Sequence, residues 1–260
     1  MTTLLPDAPH PSGPVVVAHR GYCAVAPQNT LAAFEAAWRA GAPALELDVR
    51  RTADGVPVVI HDPIVDRVSD GVGAVEALDA AAVRGLDAGS RFSPVYGGQR
   101  IPTFAEAITF LAARPGMDLL CEYKGLWASE ELAPTIAAID AAGLAGRTVV
   151  QGFSQETVEA LRTAAPHLPR GFLCDAAPAD LFAVAERLEV VTVNPSVAAV
   201  LADPGLVTTA HSRGMRVMPW TSNETSEWEG LVAAGVDAII TDRPGELRGW
   251  LAGRAGAVLR

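Results

Sequence analysis

The chain has 260 residues, half of them hydrophobic, and a formal net charge of -10 with no basic run. That argues against binding along nucleic acid, which needs clustered Lys and Arg to neutralise phosphates, and leaves enough apolar material for one barrel-sized core. Three widely spaced cysteines, Cys23, Cys121 and Cys174, make neither a disulfide framework nor a Cys-x-x-Cys zinc site and suit a cytoplasmic protein.

Residues 1–13 are polar and Pro-rich, lack the regions of a secretory signal, and read as a loose leader. No apolar run is long enough to span a bilayer, so no stable membrane insertion is expected. A first strand falls at 15–18. A helix follows over about 30–40, with Leu31, Phe34, Ala37 and Trp38 on one face. The second strand is 44–49, and an Asp54-Gly55 turn leads to an extended run ending at His61. Residues from about 63 to 100, with scattered Asp and Gly, read as an insertion over one face, too poor in apolar residues for a core of its own.

The alternation then resumes. Thr103 and Glu106 have capping-box spacing and open a helix to about 113. Further strands are expected at 118–122, 148–151, 170–173, 190–193, 216–219 and 238–241, each followed by a helix. Eight βα units in about 250 residues predict a single (β/α)8 TIM barrel over residues 14–260, with a small insertion after strand two. A doubly wound open sheet is the alternative, but it lacks a Gly-x-Gly-x-x-Gly loop after strand one.

In a parallel barrel, ligands bind at the C-terminal ends of the strands. Those ends carry His19 and Arg20, then Glu46 and Asp48, then Glu122 and Lys124, and further round Gln151, Phe153, Asn194, Trp220 and Asp242. Strand ends are often polar because the chain is leaving the core, and that reading is preferred for Gln151, Asn194 and Asp242. It does not suit Glu46 and Asp48. One residue apart on a strand, they share the barrel face, while Leu45, Leu47 and Val49 take the other.

Two adjacent buried carboxylates repel strongly unless a cation neutralises them. With Glu122 they make a hard oxygen site suited to one Mg2+ or Ca2+. Pairing with Arg20, Arg50 or Lys124 without a metal is the competing reading. His19 and His61 flank these acids and are placed for general acid and base work, with the two roles unassigned. His10, His167 and His211 read as surface residues, and Cys23 as packing near the first motif. Arg20 and Lys124 are cations where a phosphate would sit, and Trp220 suits a substrate wall or the core equally.

In order, these residues form His19-Arg20-Gly21, Pro27-Gln28-Asn29-Thr30, Glu46-Leu47-Asp48, His61-Asp62, Glu122-Tyr123-Lys124 and Trp220-Thr221. Together they resemble the glycerophosphodiester phosphodiesterases, over almost the whole span from Val15 to Trp250. The resemblance implies a (β/α)8 barrel with a divalent cation on Glu46, Asp48 and Glu122. It makes His19 and His61 the acid–base pair and Arg20 and Lys124 the phosphate ligands. The implied reaction turns a small glycerophosphodiester into sn-glycerol 3-phosphate and an alcohol. In it the glycerol 2-hydroxyl attacks phosphorus, and water then opens the cyclic phosphate. Trp220 and Phe153 are the expected substrate contacts.

One departure is that Gln28 stands where the family usually has Glu, which keeps hydrogen bonding and removes a charge. A lysophospholipase D acting on phospholipids is the runner-up, and a non-catalytic phosphate-binding barrel a more distant alternative. A metal-dependent amidohydrolase would want His-x-His at strand one, where Val17-Ala18-His19 stands. The sequence leaves the oligomeric state open.

Overall fold

A computed structural model describes residues 4–5, 13–203 and 205–258. Its sheet is a parallel barrel. In chain order the first elements are β1 (Val15–Ala18), α1 (Leu31–Arg39), β2 (Ala44–Arg51), β3 (Pro57–Val59) and α2 (Ala80–Gly85). Then come α3 (Phe104–Ala112), β4 (Asp118–Tyr123), α4 (Ala133–Ala141), β5 (Thr148–Gly152), α5 (Gln155–Ala164), β6 (Arg170–Cys174) and α6 (Leu181–Arg187). The last third holds β7 (Thr192–Pro195), α7 (Val197–Ala202), α8 (Gly205–Ser212), β8 (Arg216–Val217), α9 (Thr225–Ala234), β9 (Ala238–Thr241) and α10 (Pro244–Val258).

Eight strands run in the order β8-β7-β6-β5-β4-β2-β1-β9, and β3 pairs antiparallel with β2. The seam between β8 and β9 is closed by backbone hydrogen bonds. Asp237 N donates to Val217 O at 3.0 Å, Ile240 N to Pro219 O at 3.0 Å, and Ser222 N to Ile240 O at 3.0 Å. The (β/α)8 architecture expected from the alternation is the one observed.

The two-residue period of each strand decides what faces inward. Val15, Val17, Ala44, Leu120, Val149, Met218, Ala238 and Ile240 pack inside the lower barrel. The alternate residues Leu45, Leu47, Val49, Leu119 and Cys121 pack outward against Phe34 of α1, Phe104 and Leu111 of α3, and Ile139 of α4. Continuing the inward period toward the strand ends brings His19, Asp48, Glu122, Gln151, Trp220 and Asp242 to one mouth. Register agrees: Asp48 lies opposite Glu122, and Glu122 opposite Gln151.

Three local expectations change. Leu4 is fully buried with Val15 and Ala44, so the leader is anchored there. Residues 1–3 and 6–12 of the expected loose stretch, with His10, lie outside the described residues. The insertion carries a satellite cluster, in which Val65, Val75, Val83 and Ala88 pack on Val58, Ile60 and Ile101. It borrows part of this core from the β3 segment and so stays attached to the barrel edge. Between β7 and β8 there are two helices, since α7 precedes the expected α8. Among the described residues no helix is long and apolar enough to cross a membrane.

Candidate active site

The turn after β1 is fixed by its backbone. Arg20 adopts φ 54° and Gly21 φ 85°. A Cβ on Gly21 would meet the Ala33 backbone at 2.6 Å, so only glycine lets the turn lie against α1. The left-handed Arg20 costs on the order of 1 kcal/mol and is held by its own N–H, which donates to Glu46 Oε2 at 3.0 Å. Its guanidinium pairs with Asp48 through Nε at 3.1 Å and donates from Nη1 to Gln28 Oε1 at 2.7 Å. Gln28 therefore keeps the hydrogen bond that orients Arg20 without adding a negative charge.

Glu46, Asp48 and Glu122 are all buried, and one ligand oxygen of each lies within 4.8 Å of the others. Asp48 is the most engaged. Oδ2 accepts from Asn29 Nδ2 at 2.8 Å, and Oδ1 lies 3.2 Å from Lys124 Nζ. Lys124 also pairs with Glu122. Burial alone would raise the Asp48 pKa, but Lys124, Arg20 and the two imidazoles hold it below the ordinary range. The same two cations act on Glu46 but do not prevail there. Burial, then Asp48 and Glu122, push its pKa well up. Glu122 is pushed to about 7 by burial and by Asp48.

With all three carboxylates ionised, Arg20 and Lys124 would leave one negative charge unbalanced in a buried cluster, which is why Glu46 favours its protonated form without a further cation. Asp48 Oδ1 and Glu122 Oε1 share the single ammonium of Lys124, and Glu46 Oε1 is buried with no hydrogen-bond donor among the described residues. An orphaned Glu46 oxygen and two under-satisfied carboxylate oxygens converging on one space fit a hard divalent cation. The ion-paired reading is half right, because Arg20 and Lys124 neutralise Asp48 but not the whole cluster.

His19 and His61 face the same mouth. His19 Nδ1 donates to Asp242 Oδ1 at 2.7 Å, and His61 Nδ1 to Asp62 Oδ1 at 2.9 Å. A carboxylate only accepts, so each bond puts the proton on Nδ1 and leaves the Nε2 lone pair free in the neutral ring. Burial lowers the pKa of both rings. The Asp242 hydrogen bond opposes this at His19, and the Asp48 charge opposes it at His61.

Asp242 is fixed in turn by Asn223, whose Nδ2 donates to Oδ2 at 2.7 Å and whose Oδ1 accepts from Asp242 N at 2.9 Å. Asp242, set aside in the sequence as a structural strand-end residue, is therefore the orienting partner of His19. Asn29 was given no role at the site, and Asn223 was missed altogether. Asn29 sits inside a quoted motif, whereas Asn223 had no sequence signal.

Eight of the nine expected site residues line one cavity of about 140 Å3: His19, Arg20, Glu46, His61, Glu122, Lys124, Phe153 and Trp220. The ninth, Asp48, is fully buried. Phe153 and Trp220 meet edge to face at 5.3 Å between centroids, and Lys124 Nζ lies 5.6 Å from the Phe153 centroid. Trp220 Nε1 donates to Asn194 O at 2.8 Å, and Asn194 Nδ2 to Gln151 Oε1 at 2.6 Å. The Asn194 main chain thus holds the Trp220 ring, while its side-chain amide bonds Gln151, which itself lines the cavity. Burial and Asp242 raise the Cys23 thiol pKa, which favours the protonated thiol in the metal-free protein. His167 and His211 lie away from the mouth on Asp140 and Asp237.

A parallel barrel with two imidazoles, two cations and an acidic cluster at its C-terminal mouth has the parts a TIM-barrel phosphoester hydrolase uses. The sequence profile of the Glycerophosphoryl diester phosphodiesterase family matches residues 19–246. A glycerophosphodiester phosphodiesterase of Caldanaerobacter subterraneus subsp. tengcongensis is 34% identical over 239 residues, covering 88% of this chain and 94% of its own. An Oleispira antarctica phosphodiesterase, solved with its product sn-glycerol-3-phosphate, superposes with a TM-score of 0.86 at 28% identity. That match covers 91% of this chain and 96% of the other. The glycerophosphodiester phosphodiesterase of Agrobacterium tumefaciens str. C58 gives a TM-score of 0.76 at 29% identity, over 89% of this chain and 97% of its own. The chain belongs to the glycerophosphoryl diester phosphodiesterase family.

Proposed function

We propose that the chain hydrolyses small glycerophosphodiesters to sn-glycerol 3-phosphate and an alcohol, using His19 and His61 as the proton-transfer pair. The observation that carries this is the single cavity where both imidazoles meet Arg20, Lys124 and the carboxylate cluster. Glu46, Asp48 and Glu122 would hold one Mg2+ or Ca2+. When bound, that ion supplies Lewis-acid polarisation of the phosphoryl oxygens and of the attacking hydroxyl.

The protein's own groups do the rest. Arg20 and Lys124 counter the phosphate charge. Gln28 fixes the direction of the Arg20 fork. One Nε2 takes the proton of the glycerol 2-hydroxyl as its oxygen attacks phosphorus, and the other imidazole protonates the departing alcohol oxygen. The roles then exchange as water opens the cyclic phosphate. Phe153 and Trp220 form the apolar wall for the substrate's organic part. The three unpaired cysteines suit reaction in the reducing cytoplasm.

The test is glycerol 3-phosphate release from glycerophosphocholine by the wild type, His19→Ala and His61→Ala. Each variant is expected to lose about 100-fold or more in kcat while keeping the wild-type melting temperature. Near wild-type rates in both would remove the histidines from the mechanism.

A further inference from the structure

The turn after β1 holds a second group of donors. Cys23 Sγ donates to Asp242 Oδ1 at 2.9 Å, on the same oxygen that accepts from His19 Nδ1 at 2.7 Å. The sulfur, nitrogen and oxygen donors all lie within 4.8 Å of one another, and each residue is partly exposed. None belongs to the carboxylate cluster of Glu46, Asp48 and Glu122. The donor sets also differ in kind. Three carboxylates suit a hard ion, whereas a thiolate, an imidazole and a carboxylate suit a borderline-soft one such as Zn2+.

The backbone holds this group in place. His19 N donates to Thr241 O at 2.9 Å and Ala24 N to Asp242 O at 3.2 Å, which ties both ends of the turn to β9. Asn223 locks the other oxygen of Asp242. Metal–ligand bonds of about 2.0–2.3 Å require only that the three donors part slightly from hydrogen-bond contact.

We propose that Cys23 Sγ, His19 Nδ1 and Asp242 Oδ1 form a site for a thiophilic dication of the Zn2+ class, and that its occupation inhibits the enzyme. The inhibition rests on the role given to His19 above. On binding, the Cys23 S–H proton leaves to solvent. The Nδ1 proton of neutral His19 moves to Nε2, so that the Nδ1 lone pair can bind the ion. No electrons are transferred. His19 then presents an N–H to the cavity with no lone pair to accept a proton, and the ring is no longer the imidazolium that would readily give one up. Both of its candidate roles are blocked.

The probe is Cd2+, titrated into wild type and Cys23→Ser with Mg2+ in excess to occupy the carboxylate cluster. Serine keeps a donor toward Asp242. A thiolate-to-cadmium charge-transfer band in the ultraviolet is expected for wild type and absent from the variant, since Cys121 and Cys174 are buried. In parallel, Zn2+ inhibition of glycerophosphocholine hydrolysis is scaled to each protein's own uninhibited rate. It should weaken by about tenfold or more in Cys23→Ser. The same band in both proteins, or in neither, or equal Zn2+ sensitivity in both, would overturn the proposal. A Cys23-dependent band in a protein that hydrolyses no glycerophosphodiester would sink the proposed function and leave the metal site standing.

Discussion

Asp242 and His19 are separated by 223 residues in sequence and by 2.7 Å between bonding atoms. No local pattern announces such a pair. It arises because β1 and β9 are neighbours, with Ala18 opposite Thr241, so the next residue on each strand reaches the same mouth. The motif residues were legible because each chemistry-bearing group sits beside an apolar run, and Glu46 and Asp48 because of their alternation. Their orienting partners were not, because a single Asp or Asn carries no periodic signal.

Asp242→Asn tests the positioning. The hydrogen bond and charge of Asp242 raise the His19 pKa against the lowering effect of burial. Its loss should move to lower pH whichever limb of the kcat/KM profile His19 governs, the acid limb if His19 is the base and the basic limb if it is the acid, and reduce kcat by about 100-fold. A fall in kcat with an unmoved profile would mean Asp242 only holds the fold. In the wild type both imidazoles have pKa values lowered from 6.5, so the acid limb should lie below that pH.

Among the elements, β2 does most to connect fold and site. One face puts Leu45, Leu47 and Val49 into the helix-packed core, and the other puts Glu46 and Asp48 into the barrel. Leu47→Ala leaves the site chemistry untouched and should cost about 2–5 kcal/mol in urea unfolding. A loss below ~1 kcal/mol would mean the outer layer repacks freely.

The capping box at Thr103 and Glu106 formed as the spacing predicts, with Thr103 N donating to Glu106 Oε2 at 2.8 Å. Helix α7 escaped the sequence because its six residues are too few to establish a helical period. Its one cue is Ser196, whose hydroxyl accepts from Ala199 N at 3.2 Å as an N-cap. The insertion's satellite cluster escaped the sequence because its buried valines are spread through a turn-rich segment and complete a core only with Val58, Ile60 and Ile101.

For the whole molecule, the fold opposes its own site. The barrel buries a third carboxylate that its two cations do not neutralise, which a chain built only for stability would avoid. Glu46 has a raised pKa in the folded state, so the metal-free folded protein holds a proton that the unfolded chain releases. Stability from that group is therefore lost as pH rises above 4.5. Glu46→Gln removes the effect and keeps an acceptor for Arg20 N. Its stability advantage over the metal-free wild type should grow with rising pH above 4.5, and Mg2+ should raise the melting temperature of the wild type only. Equal pH dependence in the two proteins would mean Glu46 is not held under electrostatic strain.

The most direct measurement is glycerol 3-phosphate release from glycerophosphocholine by EDTA-stripped protein, before and after restoring Mg2+ or Ca2+, in wild type and Glu46→Gln. The account predicts no release from stripped protein, recovery in the wild type with one of the two ions, and little or none in Glu46→Gln. Full release by the stripped wild type, or equal recovery in the variant, would contradict a cation-dependent phosphodiesterase centre on Glu46, Asp48 and Glu122.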